Sequence, residues 1–225
     1  KKSCELASVI ANKIPYWIKH GMKESYLAAR INYELCKQGS NEPAFPTIVA
    51  FGANSGIPHH FTGDTELKKG DLILVDFGAR VGQMNSDITR VFVYGKAVPK
   101  QKKIYNHVLK IQKFAMSRLK KGIEGSRLSK TAVSMANAFF KKRKGIHGRM
   151  NHGLGHSLGV EVHDGTALGG EKPFFIPEGF VTTLEPGIYI PGWGGIRIED
   201  DVLVTSNGVV NLTEKAYKET LIEIE

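Results

Sequence analysis

Three observations on the sequence predict an α+β domain built as two related halves. Helical stretches lead into a strand-like hairpin, and the same order then follows a second time. Each hairpin carries paired carboxylates where its apolar runs are interrupted. No low-complexity segment or linker divides the 225 residues, which suffice to bury a substantial core as one domain, 1–225.

Residues 1–38 read as two helices. Leu6, Val9 and Ile10 share a face of the first, Pro15 disturbs it, and Gly21 separates it from the second. In the second, Tyr26, Leu27, Ile31 and Leu35 recur at three- and four-residue spacings and stop before Gly39 and Ser40. Both read as plain scaffold. Pro43 and Pro46 precede a strand at 47–51, and a loop of small residues then leads through Pro58 to His59 and His60. Alone, this histidine pair reads as a polar loop tip. An apolar run at 72–75 reads as a buried strand and 91–94 as its partner, with Asp76 and Asp87 where each run meets the turn.

Pro99 suits the first turn of a third helix, whose stripe is Ile104, Val108, Ile111, Ala115 and Leu119, ending near Gly122. A fourth follows Ser126, with Leu128, Ala132, Met135 and Phe139 inside. Its expected last turn holds Lys141, Lys142, Arg143 and Lys144, where cations complement the helix dipole, before Gly145. Residues 160–162 alternate as a short strand, with His163 on the face opposite Val160 and Val162. The second hairpin pairs 181–190 with 196–204, and Glu185 and Glu199 break its apolar runs.

Composition narrows the classes of function. No apolar run approaches the roughly 20 residues that span a bilayer, so no membrane segment is expected. The net charge of +9 could serve nucleic acid or an anionic surface, but the bases are spread along helices without interleaved aromatics. They read as a solvated surface, and no nucleic-acid partner is expected. Cys4 and Cys36 are the only thiols and read as free, reduced cysteines, which places the chain in the cytoplasm. The chain begins at Lys1 inside a helix, with no signal peptide, so it is expected to be a piece of a longer protein.

Chemistry concentrates in two places. His152, His156 and His163 fall within twelve residues, spaced by Gly153, Gly155 and Gly159, a density that folding does not require. Asp76, Asp87, Glu185 and Glu199 each sit in an apolar run, where a carboxylate is costly to bury unless something positive holds it. If these four converge with His156, their charge matches two divalent cations. An oxygen-rich set with one imidazole suits Mn²⁺, Co²⁺ or Fe²⁺ and tolerates Zn²⁺. Two such ions roughly 3.5–4 Å apart activate a shared water and polarise a carbonyl. The sequence has no helical His-Glu-x-x-His spacing and no cysteine cluster, which argues against a single-zinc protease or a structural zinc.

Four stretches resemble the pita-bread metallopeptidases: methionine aminopeptidase, aminopeptidase P and prolidase. They are Val75 to Gly78 with Ser86 to Arg90; His152 to His163; Leu184 to Tyr189; and Gly195 to Asp200. The resemblance spans about residues 1–220 and implies the pita-bread (creatinase/aminopeptidase-like) fold, an α+β fold with pseudo-two-fold halves and antiparallel sheets covered by helices. It implies metal ligands at Asp76, Asp87, His156, Glu185 and Glu199, all of which are present. The Pro58–His59 loop, the His152–His156 spacing and Gly195-Ile196-Arg197 resemble the proline-specific branch.

That branch implies a dinuclear peptidase, with Mn or Co ahead of Fe or Zn. It would cleave the bond between an N-terminal residue and proline in short peptides by attack of a metal-bridging hydroxide. By the same resemblance Glu185 is the general base, His163 a donor to the carbonyl, and His59 a substrate or proton-shuttle residue. His152 lines the pocket behind the ligands, and Arg197 orients Glu199 or another metal-bound carboxylate, binds substrate, or simply balances the charge of neighbouring acids, while His60 is assigned no role. Full-length relatives carry an N-terminal domain that is expected to be absent here, and a homodimer fits the same family. Methionine aminopeptidase is the alternative enzyme, and a pita-bread module that binds protein or RNA is the non-enzymatic one.

Overall fold

The computed structural model describes residues 1–140, 148–169 and 173–225. The chain opens with α1 (Lys2–Lys13), a 3₁₀ turn at Ile14–Tyr16, and α2 (Glu24–Lys37). Strands β1 (Glu42–Pro43) and β2 (Ile48–Phe51) follow, and Gly52–Gly56 forms a second 3₁₀ turn. Next come β3 (Leu72–Phe77), β4 (Ala79–Val81), β5 (Met84–Asn85) and β6 (Ile88–Tyr94). The second half begins with α3 (Pro99–Arg118) and α4 (Gly125–Ala138). It continues through β7 (Val181–Leu184), β8 (Gly187–Ile190), β9 (Gly194–Arg197), β10 (Asp200–Thr205) and β11 (Gly208–Asn211), and ends with β12 (Ile222–Ile224).

Each half buries two helices against its strands. The central sheet has the order β12-β6-β3-β2. Because side chains alternate along a strand, Ile73, Val75 and Phe77 of β3 face a cluster with Ala7, Ile10, Leu27 and Ile31 of α1 and α2. Leu72 and Leu74 face the other way, into a cluster built on Ile104, Val108, Ile111 and Ala115 of α3 and Leu128, Ala132 and Ala136 of α4. Asp76 follows Leu74 on that second face. Pro99 opens α3 as expected, and the Gln101 side chain accepts from the Val98 N–H at 2.8 Å to close its first turn.

Several local readings change. The buried stripe of α1 is Cys4, Ala7, Ile10 and Ala11, while Val9 is 42% exposed. Small residues line that face because the helix lies close against the strands beneath it. Tyr26 is likewise exposed, and Ala28 takes its place in the core. Residues 160–162 do not form a strand. Gly159 N–H donates to Glu161 O, and Val160 N–H to the Asp164 carboxylate, closing a compact loop. A Cβ on Gly159 would lie 2.1 Å from Asp164 Oδ2 and would displace the carboxylate that holds Val160 N–H. β12 runs parallel to β6, an addition to otherwise antiparallel pairing. The basic run 141–144 lies outside the described residues. Among the described residues, no helix is long and apolar enough to cross a membrane, and Cys4 and Cys36 are both free.

Candidate metal centre

The second hairpin is broken at its two glutamates. β7 pairs with β10, whereas β8 pairs with β9, so the ladder changes partners at Glu185-Pro186 and again at Ile198-Glu199. Pro186 has no N–H to continue the first ladder. Glu185 N–H donates instead to Leu154 O at 2.9 Å, and Ile198 N–H to Pro186 O at 3.3 Å. Both glutamates thus leave the plane of the sheet beside Asp76, which is paired in register with Thr89. His156 is brought in by the glycine-rich loop, whose Gly155 packs on β7. A Cβ there would fall 2.0 Å from Thr183 O.

All nine residues singled out in the sequence line one cavity of about 330 Å³: Asp76, Asp87, His156, Glu185, Glu199, His59, His152, His163 and Arg197. Phe45, Ile48, Pro58, Val162 and Ala167 supply its apolar lining. One oxygen each of Asp87 and Glu199 and one nitrogen of His156 lie within 4.8 Å of one another. His156 Nε2 is 3.5 Å from Asp87 Oδ2 and 3.6 Å from Glu185 Oε1. Asp76 joins through Arg197, whose Nη2 donates to Asp76 Oδ2 at 2.6 Å. The exposed His163 ring lies beside His156, with centroids 4.1 Å apart, and His59 is exposed at the cavity wall.

The electrostatics describe a cluster of acids short of positive charge. Burial, followed by the repulsion of Glu199 and Asp76, raises the Asp87 carboxyl well above the usual range. Burial and then Glu185 and Asp76 do the same to Glu199, against the pull of Arg197 and the Thr89 hydroxyl. Burial pushes Glu185 up to about 7, with Arg197 opposing. Burial and then His163 lower His156 to about 4, leaving a neutral imidazole with a free lone pair at neutral pH. Burial, and next Arg197, lower His152 to about 4.

Among the described residues three buried carboxylate oxygens have no hydrogen-bond donor: Asp76 Oδ1 and Asp87 Oδ1 of the cluster, and Oδ1 of Asp201, whose other oxygen accepts from Asp87 N–H. A buried acceptor left unpaired costs roughly 1–3 kcal/mol, and more if charged. Orphaned oxygens, mutually repelling acids and a neutral imidazole form a donor set that fits hard divalent cations.

Arg197 is the internal counter-charge. It is 3% exposed and all three of its nitrogens are engaged: Nε with Thr89 Oγ1 at 2.8 Å, Nη1 with the Tyr189 hydroxyl at 2.8 Å and Pro58 O at 3.3 Å, and Nη2 with Asp76. Burial opposes its charge, but Tyr189, Asp76, Glu199 and Glu185 outweigh that and hold it protonated. His152 Nδ1 meets Gly153 O at 2.8 Å and Nε2 meets the Tyr189 hydroxyl at 3.0 Å. Sequence reading missed the supports Thr89 and Tyr189. Each is a polar side chain alternating within an apolar strand, which was the available signal.

A cavity walled by buried carboxylates and histidines, set between two hairpins of a pita-bread fold, has the donor set of a metallohydrolase class of site. The chain belongs to metallopeptidase family M24, whose pattern matches residues 1–206. It is 40% identical over 214 residues to an Xaa-Pro dipeptidase of Pyrococcus horikoshii, covering 95% of this chain and 60% of that protein. The solved prolidase of the same organism superposes with a TM-score of 0.89 over 98% of this chain and 62% of its own. An X-Pro aminopeptidase from Thermotoga maritima superposes at 0.90 with 33% identity, over 99% and 61% of the two chains. The chain thus spans about 60% of the length of the relatives it matches.

Proposed function

We propose that the protein is a peptidase that hydrolyses the bond between an N-terminal residue and a following proline, using two divalent ions held by Asp76, Asp87, His156, Glu185 and Glu199. The observation that carries this reading is the gathering of these five donors at one cavity with two carboxylate oxygens unpaired. The printed activities of the Pyrococcus relatives support the substrate class. The apolar lining, Phe45, Ile48, Pro58, Val162 and Ala167, suits a pyrrolidine ring. When bound, the ions lower the pKa of a shared water and polarise the scissile carbonyl; aminopeptidases are among the enzymes from which that two-ion pattern is drawn.

The chain's own groups do the rest. Glu185, at the cavity wall beside His156, takes the proton of the attacking water and passes it to the departing proline nitrogen. His163 and His59, both exposed to the cavity, are the donors to the carbonyl oxygen and the substrate terminus. Arg197, with all three nitrogens bonded to the protein, fixes Asp76, and His152 braces Tyr189 at the substrate end. Manganese or cobalt suits the oxygen-rich set.

The test is metal counting by elemental analysis together with assays of Xaa-Pro and Met-Ala peptides. The reading requires about two ions per chain and cleavage of the proline peptides. Hydrolysis of Met-Ala alone would move the chain to the methionine aminopeptidase class.

A further inference from the structure

The residue that organises the cavity's outer wall lies outside the cavity, at the start of α2. Glu24 is fully buried, and its carboxylate collects four donors from one segment. Phe51 N–H and Asn54 Nδ2 reach Oε1 at 2.8 and 2.9 Å, and His60 Nε2 and Gly63 N–H reach Oε2 at 2.9 and 3.1 Å. These donors lie at both ends and in the middle of residues 51–63, a stretch with a single 3₁₀ turn and no strand after Phe51. That stretch carries Pro58 and His59 into the cavity wall. Pro58 O is held from the inner side by Arg197, and the His60 ring is held from the outer side by Glu24. His59 stands between the two anchors.

Resting on the function proposed above, we infer that Glu24 is a positioning residue. Through His60 it holds the 51–63 segment so that His59 faces the substrate. A buried carboxylate that accepts four hydrogen bonds is costly to bury otherwise, and its donors need it as much as it needs them. Helix α2 thereby reaches the cavity across one side chain. A misplacement of about 1 Å at a catalytic group can cost roughly a hundredfold in rate, so even a partial slackening of the segment is measurable.

The test uses the metal-loaded full chain and an Xaa-Pro dipeptide. His60→Ala should lower kcat/KM by roughly tenfold with metal content unchanged, and His60→Gln, which keeps a donor, should restore most of it. Glu24→Gln should follow His60→Ala. In a His59→Ala background, His60→Ala should have almost no further effect, because residues acting through one another are not additive. Equal losses in both backgrounds, or an unchanged kcat/KM in His60→Ala, would overturn the assignment. In the chelated chain, the His59 ring resonance should move in His60→Ala and return in His60→Gln; an unmoved signal also overturns it. If the wild type cleaves no Xaa-Pro peptide, the proposed function fails by itself, and the resonance still decides the role of Glu24.

Discussion

Replacing Glu199 by glutamine separates charge from shape at the centre of the cluster. Glu199 is 2% exposed, and its Oε2 accepts from Thr89 Oγ1 at 2.5 Å, a contact that an amide oxygen keeps. In the metal-free chain its carboxyl titrates well above the ordinary value of 4.5, chiefly through burial and the neighbouring Glu185 and Asp76. A folded-state pKa raised in this way contributes stability below the unfolded value, and that stability is lost as pH rises toward the folded value. The loss for one carboxyl is at most about 1.4 kcal/mol per pH unit in the window between its unfolded and folded values.

For 225 residues the unfolding entropy is about 0.47 kcal/mol/K, so each pH unit in that window amounts to about 3 °C at most. Glu199→Gln should lack this fall, and metal-free variant and wild type should diverge as pH rises. Mn²⁺ at a hundred times its dissociation constant should raise the wild-type Tm by about 6 °C, from about 2.7 kcal/mol of linkage, and leave the variant unmoved. Scanning calorimetry of chelated and metal-loaded samples reads both effects. Parallel pH profiles, or an equal metal response in the variant, would refute the argument that this carboxylate serves charge balance rather than packing.

Three other outcomes follow from the same geometry. Chelation should abolish turnover, and Mn²⁺ or Co²⁺ should restore it, as followed by proline release. Arg197→Lys should cost about 3–5 kcal/mol in urea unfolding, because an ammonium cannot reach Asp76, Thr89, Tyr189 and Pro58 together. Gly155→Ala should lower both stability and the number of bound ions, since its methyl group meets Thr183 O at 2.0 Å and His156 must shift; calorimetry and elemental analysis check it.

The hairpin carboxylates were readable in the sequence because an acid inside an apolar run breaks a pattern that burial imposes. The histidine stretch was readable by density. Glu24 was not, since an acid in a helix's first turn is ordinary, and its four donors lie 27 to 39 positions away. The stripe of α1 was misassigned because Ala7 and Ala11 carry little hydropathy, and close packing rather than side-chain size selects them. The alternation at 160–162 was too short to distinguish a strand from a loop tied by Asp164. The parallel pairing of β12 involves three residues and leaves no periodic trace.

The contacts that build the cluster join positions far apart along the chain. Arg197 meets Asp76 across 121 positions, Glu199 meets Thr89 across 110, and Asp87 N–H meets Asp201 across 114. Closing a loop of that length costs about 4 kcal/mol in chain entropy beyond its fixed part. No local nucleus can preassemble such a centre, so it is absent from any folding intermediate in which only one half is structured. Docking of the halves and completion of the cluster are therefore one cooperative event, and a site of this design stays incomplete until the fold is finished.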